Sequence, residues 1–357
     1  MSLSTPLTEA LGVKHPVMLA GMDTTSGSAM VAAVCNAGGF GTLGGVAYTP
    51  RILREMIAET KALFKDPNSP FGVDLLLPQV GGSARKTNED YTRGQLKELI
   101  DVIIEGGAKL FVSAVGVPPK WVVEKLHANG VLYANMVGHP KHVAKACQLG
   151  ADIIIAQGGE AGGHTGDIPF SILLPACAKE CSQYTSPLLK RPVLLVGAGG
   201  VSGGRSLAAA LMLGATGVWV GTRFVAAKES NATKRAKEEV LNAGFDSVVK
   251  SLIWSGRPLR ASRNAYVDDW ENNRAQEIKD LTSRGIVPLH HELDKLHAEG
   301  KLTEEIEDEA KLRPMGIVAG LVTKRDQPAG DIVREIVQEA YEVLNSAQSY
   351  LRPGTKL

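Results

Sequence analysis

Several absences narrow the class of this chain. Cysteine is scarce: Cys35, Cys147, Cys177 and Cys181 are the four in 357 residues, and the closest pair has no second Cys or His pair near it. Such spacing argues against a disulfide framework and against a metal site, and it suits a reducing compartment. Charge of one sign is also missing. Lys and Arg number 39 against 38 Asp and Glu, so nothing calls for nucleic acid or membrane as a partner. No apolar run is long enough to span a bilayer, and the opening MSLSTPLTEALGVKHPV lacks the basic start and continuous apolar stretch of a signal peptide. These absences predict a cytosolic protein. The closing Thr355-Lys356-Leu357 is only loosely like the Ser-Lys-Leu address, which leaves the peroxisome as a lesser alternative. No internal repeat or low-complexity tract interrupts the chain.

Glycine, by contrast, is plentiful at 39 residues, and it falls in a pattern. It falls at the ends of eight short Val/Ile/Leu-rich runs: HPVMLAGM, GFGTLGG, FGVDLLL, AKLFVSAVG, GVLYANMVG, ADIIIAQGG, RPVLLVGAGG and TGVWVGTRF. Runs that are apolar on both faces and bounded by turn residues suit parallel strands buried on both sides. Between them lie segments of helical period that also stop at glycine, such as QLKELIDVIIEGG and GGRSLAAALMLG. Eight alternations predict an α/β fold, a (β/α)₈ TIM barrel rather than an open sheet. After the eighth run the texture becomes aromatic, basic and then highly charged. We expect the barrel over 1–244 and 316–357, and a small helical excursion or lid over 245–315. AGDIVREIVQEAYEVLNSA has a clean apolar stripe and should close the barrel.

In such a barrel the chemistry sits in the loops after the strands. The loops after the seventh and eighth strands, with Ala198, Gly199 and Gly200 in one and Gly221 and Thr222 in the other, suit a phosphate held by bare N–H groups. Ordinary turns are the alternative. The sixth strand runs into IAQGGEAGGHTGDI, which carries His164 behind Gly162 and Gly163. A strand end on the catalytic face, with glycines on both sides, favours a working imidazole over a packed one. Gln157 either bonds a ring edge or merely closes the strand. Glu160 either orients a neighbour or sits in solvent. At the first strand's end, Ala20, Gly21 and Met22 suit a planar cofactor, with core packing the alternative for Met22, and Asp23 suits a helix N-cap. His15 lies at the wrong end of its strand, His139 and His142 flank a helix start, and His290-His291 has no partner cluster. Arg257, Arg260 and Arg263 suit a cofactor phosphate or a substrate anion, but their irregular, charged surroundings favour a solvated or interface role.

PVMLAGM, QGGEAGGHTG, VGAGGVSGGRSLAAALMLGATGVWVGTRF and GRPLRASRN together resemble the nitronate monooxygenase family, formerly the 2-nitropropane dioxygenases, over roughly residues 6–265. The resemblance implies an FMN-binding barrel that oxidises alkyl nitronates with dioxygen to carbonyl compounds and nitrite, without a metal. Ala20, Gly21, Met22 and Gln157 would line the flavin, with Gly162 and Gly163 beside them. Ala198, Gly199, Gly200, Gly221 and Thr222 would surround its phosphate, and His164 would be catalytic. The same motifs also occur in NAD(P)H-dependent flavin reductases of enoyl thioesters and quinones, which stand as the alternative. A noncatalytic flavin-binding scaffold is the third reading, and the glycine-framed His164 argues against it. A homodimer through the outer helices is compatible with the pattern.

Overall fold

The computed structural model describes residues 2–46 and 48–351, so the Thr355–Leu357 address lies outside the described residues. Eleven strands follow in chain order: β1 (Val17–Leu19), β2 (Gly41–Gly45), β3 (Phe71–Leu76), β4 (Leu110–Ala114), β5 (Leu132–Val137), β6 (Ile153–Gln157), β7 (Gly163–His164), β8 (Leu194–Ala198), β9 (Gly217–Val220), β10 (Val248–Ser251) and β11 (Leu259–Ser262). Eight of them form one parallel sheet in the order β1-β9-β8-β6-β5-β4-β3-β2. A parallel bridge between Met18 and Phe40 brings its two edges together. The eight runs expected from the sequence are these eight strands, and the architecture is the TIM-barrel fold expected.

Alternation along the strands divides the core in two. Met18, Phe40, Leu110, Val112, Ile153, Ile155, Val196 and Trp219 fill the barrel interior, whereas their neighbours pack outward against the helices. The helix Pro6–Leu11 closes the N-terminal end, its Leu7 and Leu11 inserted into the interior cluster. Only the C-terminal end of the barrel is therefore open to a ligand.

The helix Ala329–Ala347 returns to the barrel and packs against the helices Gly204–Met212 and Ser28–Asn36, as its apolar stripe predicted. Two covering helices lacked the glycine stop: Pro50–Ala62 ends on Leu63, and Phe170–Cys181 contains Pro175. The latter helix is started instead by Glu160, whose carboxylate accepts the Phe170 N–H at 3.0 Å.

Residues 245–315 are not wholly helical. They begin with the antiparallel hairpin β10–β11, in which Val248 pairs with Ser262, before the helices Ala265–Asn273, Ala275–Ser283, Pro288–Ala298 and Glu304–Ala310. The strands hold four residues each, too short for a period to register in the sequence. This segment has its own core around Ile253, Trp254, Leu259, Trp270 and Leu281. Glu292 anchors it by accepting the Trp270 Nε1–H at 3.0 Å and pairing with Arg274, whose guanidinium lies over the Trp270 ring. β11 also pairs with β7, Leu259 opposite His164, so main-chain hydrogen bonds tie the excursion to the barrel mouth.

Candidate active site

A cavity of about 1210 Å³ opens at the C-terminal ends of the barrel strands. It exceeds the usual range of single-ligand pockets, roughly 300–1,000 Å³. All twelve residues singled out as site candidates reach its wall: Ala20, Gly21 and Met22 from β1; Gln157, Gly162, Gly163 and His164 from β6 and the turn beyond it; and Ala198, Gly199, Gly200, Gly221 and Thr222 from the ends of β8 and β9. Among the described residues, no group of three or more His, Cys, Asp or Glu side chains could hold a metal, and no helix is long and apolar enough to cross a membrane.

The glycines around His164 have separate physical jobs. Gly163 adopts φ +73°, which a side chain would strain. Gly162 lies against the Met315–Gly316 backbone, where a Cβ would come within 2.6 Å of Met315 C. The turn is then fixed by three bonds. Gln157 Nε2 donates to the His164 carbonyl at 2.7 Å, Thr165 Oγ1 donates to Gly158 O at 3.0 Å, and the Thr165 N–H donates to Pro258 O at 3.1 Å. Gln157 thus braces the histidine's main chain through its amide nitrogen. The imidazole itself meets a residue of the excursion, its Nε2 lying 2.8 Å from Ser255 Oγ. Burial, and secondarily the positive Arg257, pushes the His164 pKa down to about 4, so the ring is neutral near pH 7.

Across the mouth, Gly199 and Gly200 both take positive φ, +77° and +74°. Among the described residues, the N–H groups of Gly199, Gly200 and Thr222 donate to no protein acceptor, which leaves three free donors just past the ends of β8 and β9. At the neighbouring helix Gly204–Met212, Glu339 already accepts the first N–H, that of Gly204, at 2.5 Å.

Of the other candidates, Asp23, His139, His142 and Arg257 also reach the cavity wall. Asp23 does not cap a helix; with φ +49° it turns its Oδ1 to accept the Val46 N–H at 3.2 Å. His15 is buried at the closed end of the barrel. His139 caps the turn Pro140–His142, its Nδ1 accepting the Lys141 N–H at 3.1 Å, and His142 lines the cavity beside Lys141 and Lys145. His290 and His291 lie on the excursion helix Pro288–Ala298, away from the cavity. Arg263 is a surface residue paired with Asp268. Arg257 and Arg260 turn inward instead: Arg257 lines the cavity, and Arg260 donates to Gly159 O at 2.7 Å.

Two residues that sequence reasoning passed over belong to the site. Ser255 left no signal, because its contact with His164 spans 91 residues. Asp74 did leave one: it is the only acidic or basic residue in the eight barrel strands, set within FGVDLL. It faces the cavity at 3% exposure with Oδ1 unpartnered, and burial pushes its carboxyl up to about 8.

The chain as a whole is similar to known proteins. A family model described as nitronate monooxygenase matches residues 4–339. The chain is 35% identical over 272 residues to the (3aS,4S,5R,7aS)-5-hydroxy-7a-methyl-1-oxo-octahydro-1H-indene-4-carboxyl-CoA dehydrogenase of Rhodococcus jostii, an alignment covering 76% of this chain and 69% of that protein. It is 28% identical to the "Probable nitronate monooxygenase" of Staphylococcus saprophyticus across 97% of this chain and 100% of the relative. Among solved structures it is similar to FabK from Thermotoga maritima, with a TM-score of 0.77 at 26% identity, covering 98% of this chain and 100% of that one. A match of this extent implies an oxidoreductase that works with a flavin. The chain belongs to the nitronate monooxygenase family.

Proposed function

We propose that this protein oxidises alkyl nitronates, and the nitroalkanes they come from, with dioxygen to carbonyl compounds and nitrite, and that its flavin is FMN. The observation that carries the reading is a neutral His164, braced by Gln157 and Ser255, in the wall of the same cavity as the glycine loops. Bound FMN would take electrons from the substrate and pass them to oxygen.

The residues fit that group. Among the described residues the donors of Gly199, Gly200 and Thr222 have no protein partner, and they suit a phosphate. Ala20, Gly21, Met22, Gln157, Gly162 and Gly163 form the adjoining wall, where small side chains and main chain leave room for a flat ring. A neutral imidazole can take the α-proton of a nitroalkane onto a ring nitrogen, and a nitronate needs no such step. Ser255 holds the Nε2 edge of that ring in place and so acts by positioning. Residues 245–315 act as a lid, bringing Ser255 to the mouth through the β7–β11 pairing.

A direct test mixes FMN-loaded protein with ethylnitronate in air and follows oxygen uptake and nitrite. Both should change without added NADH or NADPH. Absence of nitrite formation sinks the proposal.

A second reading is an NAD(P)H-dependent flavin oxidoreductase acting on an acyl thioester or a quinone. Two observations favour it: the cavity is larger than a flavin and a small nitroalkane require, and the relative from Rhodococcus jostii is named for a carboxyl-CoA substrate. Nicotinamide-dependent reduction of a thioester or quinone, with no nitrite formed from nitronate, would establish it over the first.

A further inference from the structure

We infer that Arg257, backed by Arg85, is the subsite that takes the substrate's negative charge, a planar oxyanion such as a nitronate or carboxylate, on the side of the cavity opposite the glycine loops. The inference rests on the reading of the His164 cavity as the active site.

Main-chain pairing sets the position. Ser255 touches the imidazole and Leu259 pairs with His164, so residues 255–259 pass alongside the ring and Arg257 sits midway between its two contacts. The guanidinium has two protein acceptors, both uncharged: Asn88 Oδ1 and Val115 O, each at 3.2 Å. Five N–H donors are available on a guanidinium, so these bonds leave a donor face free. Among the described residues, no carboxylate pairs with Arg257, although it lines the cavity half-buried. Two more deeply buried arginines do pair with carboxylates, Arg223 with Glu335 and Arg313 with Asp308, whereas Arg260, half-buried like Arg257, donates to the Gly159 carbonyl. An unpaired guanidinium withdrawn from water carries a desolvation cost that an anionic ligand would offset.

The support is built at a cost to the backbone. Val115 takes φ +71°, a left-handed conformation that a β-branched residue rarely adopts, and this turn carries the carbonyl that Arg257 engages. From the long loop after β3, Arg85 donates to Gly256 O at 3.3 Å and adds a second positive charge to the same wall. Of the four acids in the cavity wall, Asp167 pairs with Lys250, Glu239 pairs with Arg235, and burial raises the Asp74 carboxyl to about 8, which leaves Asp23, beside Val46 at the end of β2, as the one acid without a basic partner among the described residues. His164, neutral as well, supplies no positive charge for an anion. In the strand order, β3 and β4 lie across the barrel from β8 and β9, which separates the arginines from the loops suited to a phosphate.

The test uses the flavin-loaded protein with two probes of one shape, propionate and uncharged propionamide, each followed by ligand-observed NMR. Arg257→Gln should weaken propionate at least tenfold and leave propionamide within twofold of wild type. Arg257→Lys should fall between them, and Asn88→Ala, which loosens the support but keeps the charge, should cost less than Arg257→Gln. Unchanged propionate affinity in Arg257→Gln, or equal loss of both probes, overturns the inference. Should that variant not fold, Arg85→Gln carries the test: a severalfold loss of propionate alone supports the subsite, and wild-type affinity contradicts it. Neither probe is turned over, so failure to oxidise nitronates would defeat the proposed function and leave this result readable.

Discussion

On the β8–β9 side of the cavity the wall is main chain, with Gly199, Gly200 and Thr222 presenting amides from loops four residues or fewer past their strands. On the β3–β4 side it is side chain, with Arg257, Arg85 and Asn88 brought together from an excursion and a long loop. The first side can be built from local sequence, because a glycine turn after a buried strand needs nothing distant. The second depends on contacts such as Arg257 to Val115, 142 residues apart in the chain.

His164 lies between the two sides, and its loss should have the largest effect. His164→Ala should keep its flavin while kcat/KM on neutral nitroalkanes falls by about 10²–10⁴-fold, the usual contribution of a general base, with a smaller loss on the nitronates themselves. Steady-state rates on nitroethane and ethylnitronate check this; equal losses on both would remove the imidazole from proton transfer.

Asp74 sharpens the comparison through stability, independently of turnover. Because the fold raises this carboxyl to about 8, its stability is complete below the unfolded value of 3.8 and is lost as pH rises toward 8. Asp74→Asn should therefore raise the melting temperature at pH 8 more than at pH 5, a gain on the order of a few kcal/mol at the higher pH. Thermal melts at the two pH values decide it, and an equal shift at both would show that the carboxyl is not held neutral. His164 runs the other way. Its lowered pKa gives full stability above about 6.5, lost as pH falls toward 4, so the imidazole of the flavin-free protein should titrate by NMR near 4.

The glycine side should respond more modestly. At Gly200 a side chain meets nothing closer than 3.7 Å, so Gly200→Ala tests backbone strain alone. A cost of about 1–2 kcal/mol for the left-handed conformation corresponds to roughly a tenfold weakening of flavin binding, read by fluorescence quenching. Propionate affinity should not move in this variant; if it falls in parallel, the two sides are not separate. The smallest change belongs to Ser255→Ala, in which kcat should drop severalfold with flavin affinity unchanged and the imidazole titration displaced, as expected of a positioning residue.

The same division explains what the sequence made legible. The eight strands, the closing helix and the glycine turn carrying His164 are local patterns of apolar period and chain reversal, and each stands where its residues indicated. The β10–β11 hairpin was missed because strands of four residues carry almost no periodicity, and the helix Phe170–Cys181 was obscured by Pro175. Arg257 was visible as an arginine, but its inward direction is fixed by Asn88 and Val115, which no local pattern connects to it. Asp74 was the legible exception: a lone acid in a strand otherwise without charge marks a buried carboxyl from composition alone.

The central claim is that the substrate reducing this flavin is a nitronate. Anaerobic mixing of the FMN-loaded protein with ethylnitronate, and separately with NADH and NADPH, tests it most directly through the visible flavin band. Ethylnitronate alone should bleach the band. Bleaching by a nicotinamide, with the band untouched by ethylnitronate, would contradict it.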